Sequence, residues 1–217
     1  MRRIVFATGN QGKLREIKEI MKNVDVDVVS MKEAKADIDI EENGSTFLEN
    51  AALKACGIAD FLKKRCGEKG EEFTDIVLAD DSGLEIDALN KEPGIYSARY
   101  MGEDTPYSEK NANLIARLAD VKKEERTARF VCAIAACVPG EEVMYTRATI
   151  EGYIGYEERG TNGFGYDPIF MVPEFSCSTA ELSMEQKNQI SHRGKALKEM
   201  KELLMRKGML YENSYCK

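Results

Sequence analysis

The hydrophobic and polar residues follow two periods along the chain, and these predict strands and helices in alternation. The segments "RRIVFAT" (2–8) and "VDVDVVSM" (24–31) are apolar or strictly alternating, as expected of strands. Between them, Leu14, Ile17 and Met21 recur at helical spacing in "QGKLREIKEIMKN". The chain is therefore predicted to begin with a strand, a helix and a second strand.

The remainder of the chain continues this mixture. Further helices are predicted at residues 46–65, 105–120 and 191–208. The first of these opens with Thr46 and Glu49 at the spacing of a capping box. Two β-rich runs around a Pro-Gly turn, within 128–154, predict a hairpin. The predicted fold class is α/β, with a mixed β-sheet flanked by helices and no regular doubly wound rhythm.

Composition narrows the class of protein. The chain has 217 residues, 43% hydrophobic and 32% charged, which suits a single domain (1–217) with two lobes. The net charge of −7 argues against broad nucleic-acid binding but permits an anionic small ligand held by local cations. No apolar run approaches the roughly 18 residues of a membrane span, and we recognise no secretory signal. We therefore expect a cytoplasmic protein without a membrane partner.

Cysteine and histidine usage limits the metal and nucleophile chemistry. The cysteines form no C-x-x-C pair, so we expect reduced thiols that are buried or incidental: Cys56, Cys66, Cys132, Cys137, Cys177 and Cys216. His192 is the single histidine, which excludes a zinc site built from several histidines. Any Ser-His-Asp triad would have to use it.

Two adjacent aspartates end an apolar run in "VLADDSGLEI" (77–86). The flanking residues predict a strand, and Asp-Ser-Gly is typical of a tight break. Successive side chains of a strand point to opposite faces, so Asp80 and Asp81 should not both face one site. We expect one to face a ligand and the other to be held by backbone donors or a lysine. The alternative is an ordinary loop.

The segment "TGNQGK" lies between the first predicted strand and helix and is a candidate anion site. It consists of Thr8, Gly9, Asn10, Gln11, Gly12 and Lys13. Backbone N–H groups at a helix start attract anions, and a lysine one turn in adds a full charge. It is not a Walker A loop, because its glycines are too close together and Leu14 follows the lysine. The alternative is that Asn10 is a helix N-cap and Lys13 a solvated side chain.

The segment "GFGYDPIF" (163–170) is a candidate site for a flat ligand. Glycines on both sides of Phe164 allow backbone and ring to approach such a ligand closely. Tyr166 and Asp167 add stacking and a hydrogen-bond acceptor, and Pro168 ends regular structure. The alternative is a β-turn with aromatic core residues.

The segment "SHRGK" (191–195) opens the last predicted helix. His192 and Arg193 fall in its first turn, where cations oppose the helix dipole. Two donors in an unfavourable place suggest an anionic or polar ligand that compensates for them. The alternative is that Ser191 is only a cap.

Six segments together resemble the inosine triphosphate pyrophosphatase family, the Ham1-like pyrophosphatases of non-canonical purine nucleoside triphosphates. In chain order they are "FATGNQGKLREI", "STFLENAALKA", "ADDSGLEIDAL", "PGIYSARY", "TNGFGYDPIF" and "SHRGKAL". Six ordered blocks are far more specific than any one of them. The resemblance covers nearly the whole chain and implies two lobes with an active-site cleft between them.

The resemblance also implies roles for the matching residues. Thr8 to Lys13 would hold the triphosphate, and Glu41 and Asp81 would bind magnesium. Asn50 and Lys54, on one helix face, match polar residues directed at the phosphates, and Lys54 joins the two aspartates as a catalytic residue. The remaining substrate contacts would be Ser82, Phe164, Gly165, Tyr166, Asp167, Lys187, His192 and Arg193.

The implied reaction is hydrolysis of ITP, dITP or XTP to the monophosphate and pyrophosphate by a homodimer. Magnesium takes one or two carboxylates plus substrate oxygens, and a carboxylate beside it can accept a proton from water. We assign that role to Asp81 and leave Asp80 a supporting or alternative base role. Two alternatives stay open: a Maf-type nucleotide pyrophosphatase acting on another base, and a nucleotide-binding module without turnover.

Overall fold

A computed structural model describes residues 2–213 of the chain, with the side chains of residues 184 and 188 left undescribed. The strands are β1 (Arg2–Phe6), β2 (Val26–Ser30), β3 (Ile76–Ile86), β4 (Thr127–Cys137), β5 (Met144–Ile154), β6 (Phe170–Val172) and β7 (Cys177–Ser178). The α-helices are α1 (Gln11–Met21), α2 (Phe47–Glu68), α3 (Tyr107–Arg117), α4 (Met184–Ile190) and α5 (His192–Arg206). Cys216 lies outside the described residues.

The seven strands of this part of the chain form one mixed sheet in the order β2-β1-β3-β4-β5-β6-β7. Strand β1 is parallel to both β2 and β3, whereas β6 is antiparallel to both β5 and β7. The predicted mixed sheet with flanking helices is therefore confirmed. None of the helices described combines the length and apolarity of a membrane span.

The chain divides into two compact units. The first unit contains residues 1–81, 132–148 and 193–217, and the second contains 82–131 and 149–192. Strands β3, β4 and β5 contribute residues to both units. The assignment of 1–217 to a single two-lobed domain stays a prediction.

In the first unit, helices cover both faces of the sheet, and the period of two in β3 decides which face each residue joins. Ile76 and Leu78 pack with residues of α1 and α5. Val77 and Ala79 pack with the small and apolar residues of α2. This alternation continues into the two aspartates that follow, so consecutive carboxylates are directed to different layers of the unit.

The tight break predicted at Asp-Ser-Gly is wrong. Strand β3 runs without interruption from Ile76 to Ile86, through both aspartates, Ser82 and Gly83. The pattern on either side of the triplet is strand-forming, and β3 is a central strand that pairs with β1 as far as Leu78 and has β4 as its other neighbour. The local turn preference of Asp, Ser and Gly is thus overridden by the pairing of a central strand.

The helix start signals are correct in part. Asn10 caps α1, because its Oδ1 accepts hydrogen bonds from the backbone N–H groups of Gly12 (2.8 Å) and Lys13 (3.2 Å). Thr46 caps α2 through its Oγ1, which accepts from the Glu49 N–H (3.1 Å). The reciprocal bond of a capping box goes elsewhere, since the Glu49 carboxylate accepts from Ser45.

The second unit has its own apolar core, formed by residues of β3, β4, β5, β6 and α3. Arg126 is fully buried, and three backbone carbonyls take the place of water as hydrogen-bond partners of its guanidinium. Its guanidinium donates to Ile154 (2.8 Å), Leu118 (2.7 Å) and Gly155 (2.6 Å). These bonds satisfy the buried cation and tie the start of β4 to the end of β5.

Candidate active site

Asp80 is a buried carboxylate whose charge is neutralised. It is 1% exposed and accepts from Lys13 Nζ at 2.8 Å and Arg193 Nε at 3.2 Å. Burial alone would raise its pKa, but the charges of Lys13 and Arg193 outweigh burial and hold the pKa well below the usual value. Asp80 is therefore ionised at neutral pH and joins α1 and α5 to the middle of β3.

The surroundings of Asp81 shift its pKa in the direction opposite to that of Asp80. Its Oδ2 accepts one hydrogen bond from Asn50 Nδ2 at 3.1 Å. Burial raises the pKa of Asp81 to about 6, and the negative charges of Glu42 and Asp80 add to this, against the opposing effects of Asn50 and Lys54. A carboxylate with a pKa near neutrality is suited to accept and release a proton. The expectation that the two aspartates face different sides, one of them held by a lysine, is confirmed.

Lys54 and Glu42 form an ion pair beside Asp81. Lys54 Nζ lies 2.6 Å from Glu42 Oε1, and both side chains are about a quarter exposed. The predicted metal ligand Glu41 is exposed, and the acid whose charge acts on Asp81 is its neighbour Glu42. The two acids lie in an irregular loop, where no period assigns a face to either side chain, and the role of Glu41 as a metal ligand stays a prediction.

The acidic residues of this cluster suit a magnesium ion. In the described part of the chain no three His, Cys, Asp or Glu side chains gather into a metal site. Magnesium needs only one or two carboxylates, because substrate oxygens and water supply its other ligands. The like charges of Glu42 and Asp80 disfavour ionisation of Asp81, and a divalent cation would relieve that repulsion.

The "TGNQGK" segment forms the short connection between β1 and α1 together with the first turn of α1. Gly9 to Gly12 are exposed, and Thr8 Oγ1 accepts from the Asn10 N–H at 3.1 Å. The interpretation of Asn10 as an N-cap is confirmed, whereas Lys13 is not a solvated side chain because it pairs with Asp80. The cap and the ion pair fix both ends of the loop, so its exposed backbone is held in one place.

In the second unit, Asp167 organises the "GFGYDPIF" segment. Its Oδ2 accepts from Lys187 Nζ (2.6 Å) and the Phe164 N–H (2.8 Å), and its Oδ1 accepts from Thr179 Oγ1 (2.9 Å). Asp167 is 4% exposed, so its carboxylate is shielded from solvent and hydrogen-bonded to these protein donors. Asp167 is therefore a hydrogen-bond acceptor that positions its neighbours, and its role as a substrate contact stays a prediction.

The aromatic residues of this segment have separate roles. Phe164 is 62% exposed, and the Lys187 ammonium lies 5.3 Å from the centre of its ring. Tyr166 is 4% exposed and donates its hydroxyl to the Ser97 carbonyl at 2.7 Å, which makes it a core residue. Gly163 and Gly165 both have positive φ, of 81° and 70°, which glycine adopts without strain. Only Phe164 offers a stacking face.

The two adjacent donors of "SHRGK" belong to different surroundings. The His192 ring stacks on Phe130 with centroids 5.4 Å apart, inside the second unit. Burial opposes ionisation of Arg193, but Asp80 raises its pKa above the usual value, so Arg193 is a permanent cation of the first unit. Part of its charge is therefore compensated by protein carboxylates, since Glu16 also lies 3.4 Å away.

Several positioning residues were not found from the sequence. Thr179 on the strand-to-loop connection after β7 carried no recognisable signal. Asn111, 1% exposed within α3, donates to Glu158 (2.7 Å) and to the Gly165 carbonyl (3.3 Å). An asparagine in a helix interior is a poor helix former, and that local cost was the available signal.

The predicted substrate contact Ser82 is partly buried in β3, directly after the two aspartates.

These observations define the structural class of the protein. It is an α/β protein with a mixed sheet, a carboxylate of raised pKa beside a lysine, and an exposed aromatic ring beside a second lysine. The Ham1 family model matches residues 4–203, and the chain belongs to the Ham1 family. The resemblance that the six sequence segments indicated is therefore confirmed.

Relatives of known sequence and structure agree with this assignment. The dITP/XTP pyrophosphatase of Bacillus licheniformis is 45% identical over 94% of this chain and 98% of its own. That of Clostridium perfringens is 45% identical over 97% of this chain and 100% of its own. The solved Ham1 protein of Staphylococcus aureus, 42% identical, has a TM-score of 0.83 and covers 95% of this chain and 100% of that one.

We expect Asp81→Asn to stabilise the metal-free protein. The amide keeps the hydrogen bond with Asn50 but removes a charge that the fold disfavours. As pH rises from about 4 to about 6, the unfolded chain loses this proton before the folded protein does, so the wild type loses stability in that window. Thermal unfolding with chelator should show a Tm higher by roughly 2–4 °C at pH ~7.5, and a smaller gain toward pH ~4.5.

Asp80→Asn is the matched variant at the neighbouring position. This substitution removes the carboxylate that pairs with both Lys13 and the buried Arg193. Breaking a buried pair typically costs about 3–5 kcal/mol, which corresponds to a Tm lower by roughly 6–20 °C. A lower Tm for Asp81→Asn, or an unchanged Tm for Asp80→Asn, would contradict the opposite environments described above.

Proposed function

We propose that this protein hydrolyses non-canonical purine nucleoside triphosphates, ITP, dITP and XTP, to the monophosphate and pyrophosphate. The observation that carries the proposal is Asp81, a carboxylate with a pKa of about 6 beside the Lys54–Glu42 ion pair, in a member of the Ham1 family. The activity for which the relatives are named, dITP/XTP pyrophosphatase, supports the substrate class. The function is clearance of such nucleotides from the cytoplasmic pool.

The first unit performs the phosphate chemistry in this proposal. The exposed backbone of the "TGNQGK" loop and the cations of Lys13, Lys54 and Arg193 bind the polyphosphate, with Asn50 directed to the same side as Asp81. Asp80 holds Lys13 and Arg193 in place. It is a positioning residue, because its low pKa makes it a poor proton acceptor.

Asp81 is the proposed proton acceptor. It removes a proton from the water that attacks the α-phosphorus, and its raised pKa matches this task near neutral pH. Asp81 and Glu41 would hold a magnesium ion, which would neutralise charge on the phosphate oxygens and lower the pKa of water. Glu42 maintains the position of Lys54 through their ion pair.

The second unit recognises the base. The exposed ring of Phe164 provides a stacking face, and Lys187, oriented by Asp167, donates to a keto oxygen. Tyr166 and Gly165 shape the segment from within, and His192 supplies a further donor beside Phe130. An oxopurine presents an acceptor to such donors, whereas the amino group of adenine presents another donor. Assembly as a homodimer also belongs to the proposal.

The two alternative functions predict different results. A Maf-type pyrophosphatase would release pyrophosphate from nucleotides with another base, and a binding module would release none. Membership of the Ham1 family disfavours the first. The raised pKa of Asp81 disfavours the second, because a purely binding carboxylate gains nothing from being difficult to ionise.

Product analysis tests the reaction directly. With ITP and magnesium, the purified protein should form IMP and pyrophosphate in equal amounts, measured by ion-exchange chromatography. Asp81→Asn should lower turnover by roughly 10²–10⁴, the range for loss of a general base, while the variant remains folded. Formation of IDP and orthophosphate by the wild type, or near wild-type turnover of the variant, would contradict the proposal.

A matched pair of variants separates the two neighbouring acids. Glu41→Gln should raise the magnesium concentration for half-maximal activity by about tenfold or more, because it removes a proposed metal ligand. Glu42→Gln removes a negative charge that raises the pKa of Asp81, so the acidic limb of the pH–kcat/KM profile should move to lower pH. An unchanged magnesium requirement in Glu41→Gln would exclude that residue as a ligand.

A nucleotide panel tests base recognition. ITP, dITP and XTP should be hydrolysed with a kcat/KM at least ~10²-fold above that of ATP, since the wrong base leaves these donors unpaired. Lys187→Met should reduce this ratio by lowering kcat/KM for ITP, whereas the exposed Lys198→Met serves as a control that leaves it unchanged. Equal efficiencies for ATP and ITP in the wild type would refute the assignment of base recognition to this segment.

A further inference from the structure

One face of α3 packs against the segment around Gly165 within the second unit. Tyr107, Lys110 and Asn111 are three and four residues apart, so they share one side of this helix. Asn111 donates to the Gly165 carbonyl at 3.3 Å. Lys110 and Asn111 are each 1% exposed, whereas Tyr107 is 38% exposed. The helix therefore carries an accessible aromatic ring beside two buried polar side chains.

The Tyr107 ring lies against Gly165, the residue that follows the exposed Phe164. A methyl group built on the α-carbon of Gly165 would lie 3.6 Å from Cε1 and 3.8 Å from Cζ of Tyr107, which is ordinary van der Waals contact. Glycine has more backbone freedom than any other residue, and Gly165 uses that freedom at a φ of 70°. The Tyr107 ring therefore packs on the open side of a residue that has no side chain of its own to hold it.

Two further contacts fix the orientation of the Tyr107 ring. It meets the Tyr166 ring edge to face, with centroids 5.3 Å apart and planes at 87°, a preferred geometry of aromatic pairs. Lys110 Nζ lies 4.9 Å from the centre of the Tyr107 ring and donates to the Ala98 carbonyl at 2.8 Å. A buried ammonium needs such partners, and the face of an aromatic ring is one of them. The Tyr107 ring is thus held from two sides although the residue is partly exposed.

We propose that Tyr107 is a specificity-determining residue for the purine base, because its ring fixes the Phe164–Gly165 peptide. The inference rests on the proposed function, in which Phe164 stacks on the base and Lys187 donates to its keto oxygen. Stacking and hydrogen bonding distinguish one base from another only when the ring and the donor stay in fixed positions. Tyr107 acts through Gly165 and is therefore a positioning residue. The phosphate chemistry, assigned to the first unit, should not depend on it.

Base preference in binding tests this role without turnover. Titration calorimetry in the presence of chelator gives the Kd of ITP and of ATP, which share the triphosphate and differ in the base. Tyr107→Leu should reduce the preference for ITP by roughly three- to tenfold, as expected for loss of one aromatic contact of this geometry. With magnesium, the kcat for ITP should stay within about twofold of the wild-type value, because only binding is affected.

Further variants separate the role of the ring from an effect on folding. Tyr107→Met carries the same expectation as Tyr107→Leu, and its flexible side chain fills the vacated space if the leucine variant fails to fold. Tyr107→Phe keeps the ring and should retain the wild-type preference. Tyr211→Leu removes a 68% exposed tyrosine of the first unit and should change neither the preference nor kcat.

The outcomes distinguish this inference from the proposed function. An unchanged preference in the folded leucine or methionine variant, a preference lost in Tyr107→Phe, or a fall in kcat as large as the fall in preference would overturn the role of Tyr107. A wild type that binds ITP and ATP equally well would overturn it too. A wild type that prefers ITP in binding, and loses that preference in Tyr107→Leu, but releases no pyrophosphate would support the role of Tyr107 and contradict the proposed function.

Discussion

The period of two along β3 is the constraint on which the rest of the first unit depends. Because successive side chains leave the strand on opposite faces, Asp80 follows Ile76 and Leu78, and Asp81 follows the other set of core residues. Two chemically identical side chains thereby reach two different surroundings. A helix would have placed consecutive residues about 100° apart, and no such complete separation would follow.

The two surroundings give the carboxylates opposite properties. Asp80 meets Lys13 and Arg193, and their charges more than offset the cost of its burial. Burial, with the negative charges of Glu42 and Asp80, raises the pKa of Asp81 to about 6 against the opposing hydrogen bond from Asn50. Pairs of titratable groups with pKa values moved apart are typical of acid–base sites. The unfavourable charge of Asp81 reduces the stability of the metal-free protein, and the proposed reaction makes use of the same property.

Sequence patterns predicted the secondary-structure elements and the directions of strand side chains better than the contacts of loop residues. Regular periods located β1 to β5, the helices α1, α2, α3 and α5, and the opposite directions of the two aspartates, because hydrophobic burial fixes each period. The break at Ser82 was wrong, since pairing within a central strand outweighs a local turn preference. The effect of Glu42 on Asp81 was not predicted, and Tyr166 is buried rather than stacked outward, because loop residues follow no period that assigns a face. The role of Glu41 as a metal ligand stays a prediction.

The pKa of Asp81, measured by carbon-detected NMR of its side-chain carboxyl in the metal-free protein, tests the central claim most directly. We expect a value of about 6 for Asp81, with Asp80 ionised throughout the accessible pH range. Addition of magnesium should lower the Asp81 value, because a cation favours the charged form. An Asp81 that titrates near the ordinary pKa of about 3.9, or one that does not respond to magnesium, would contradict the account.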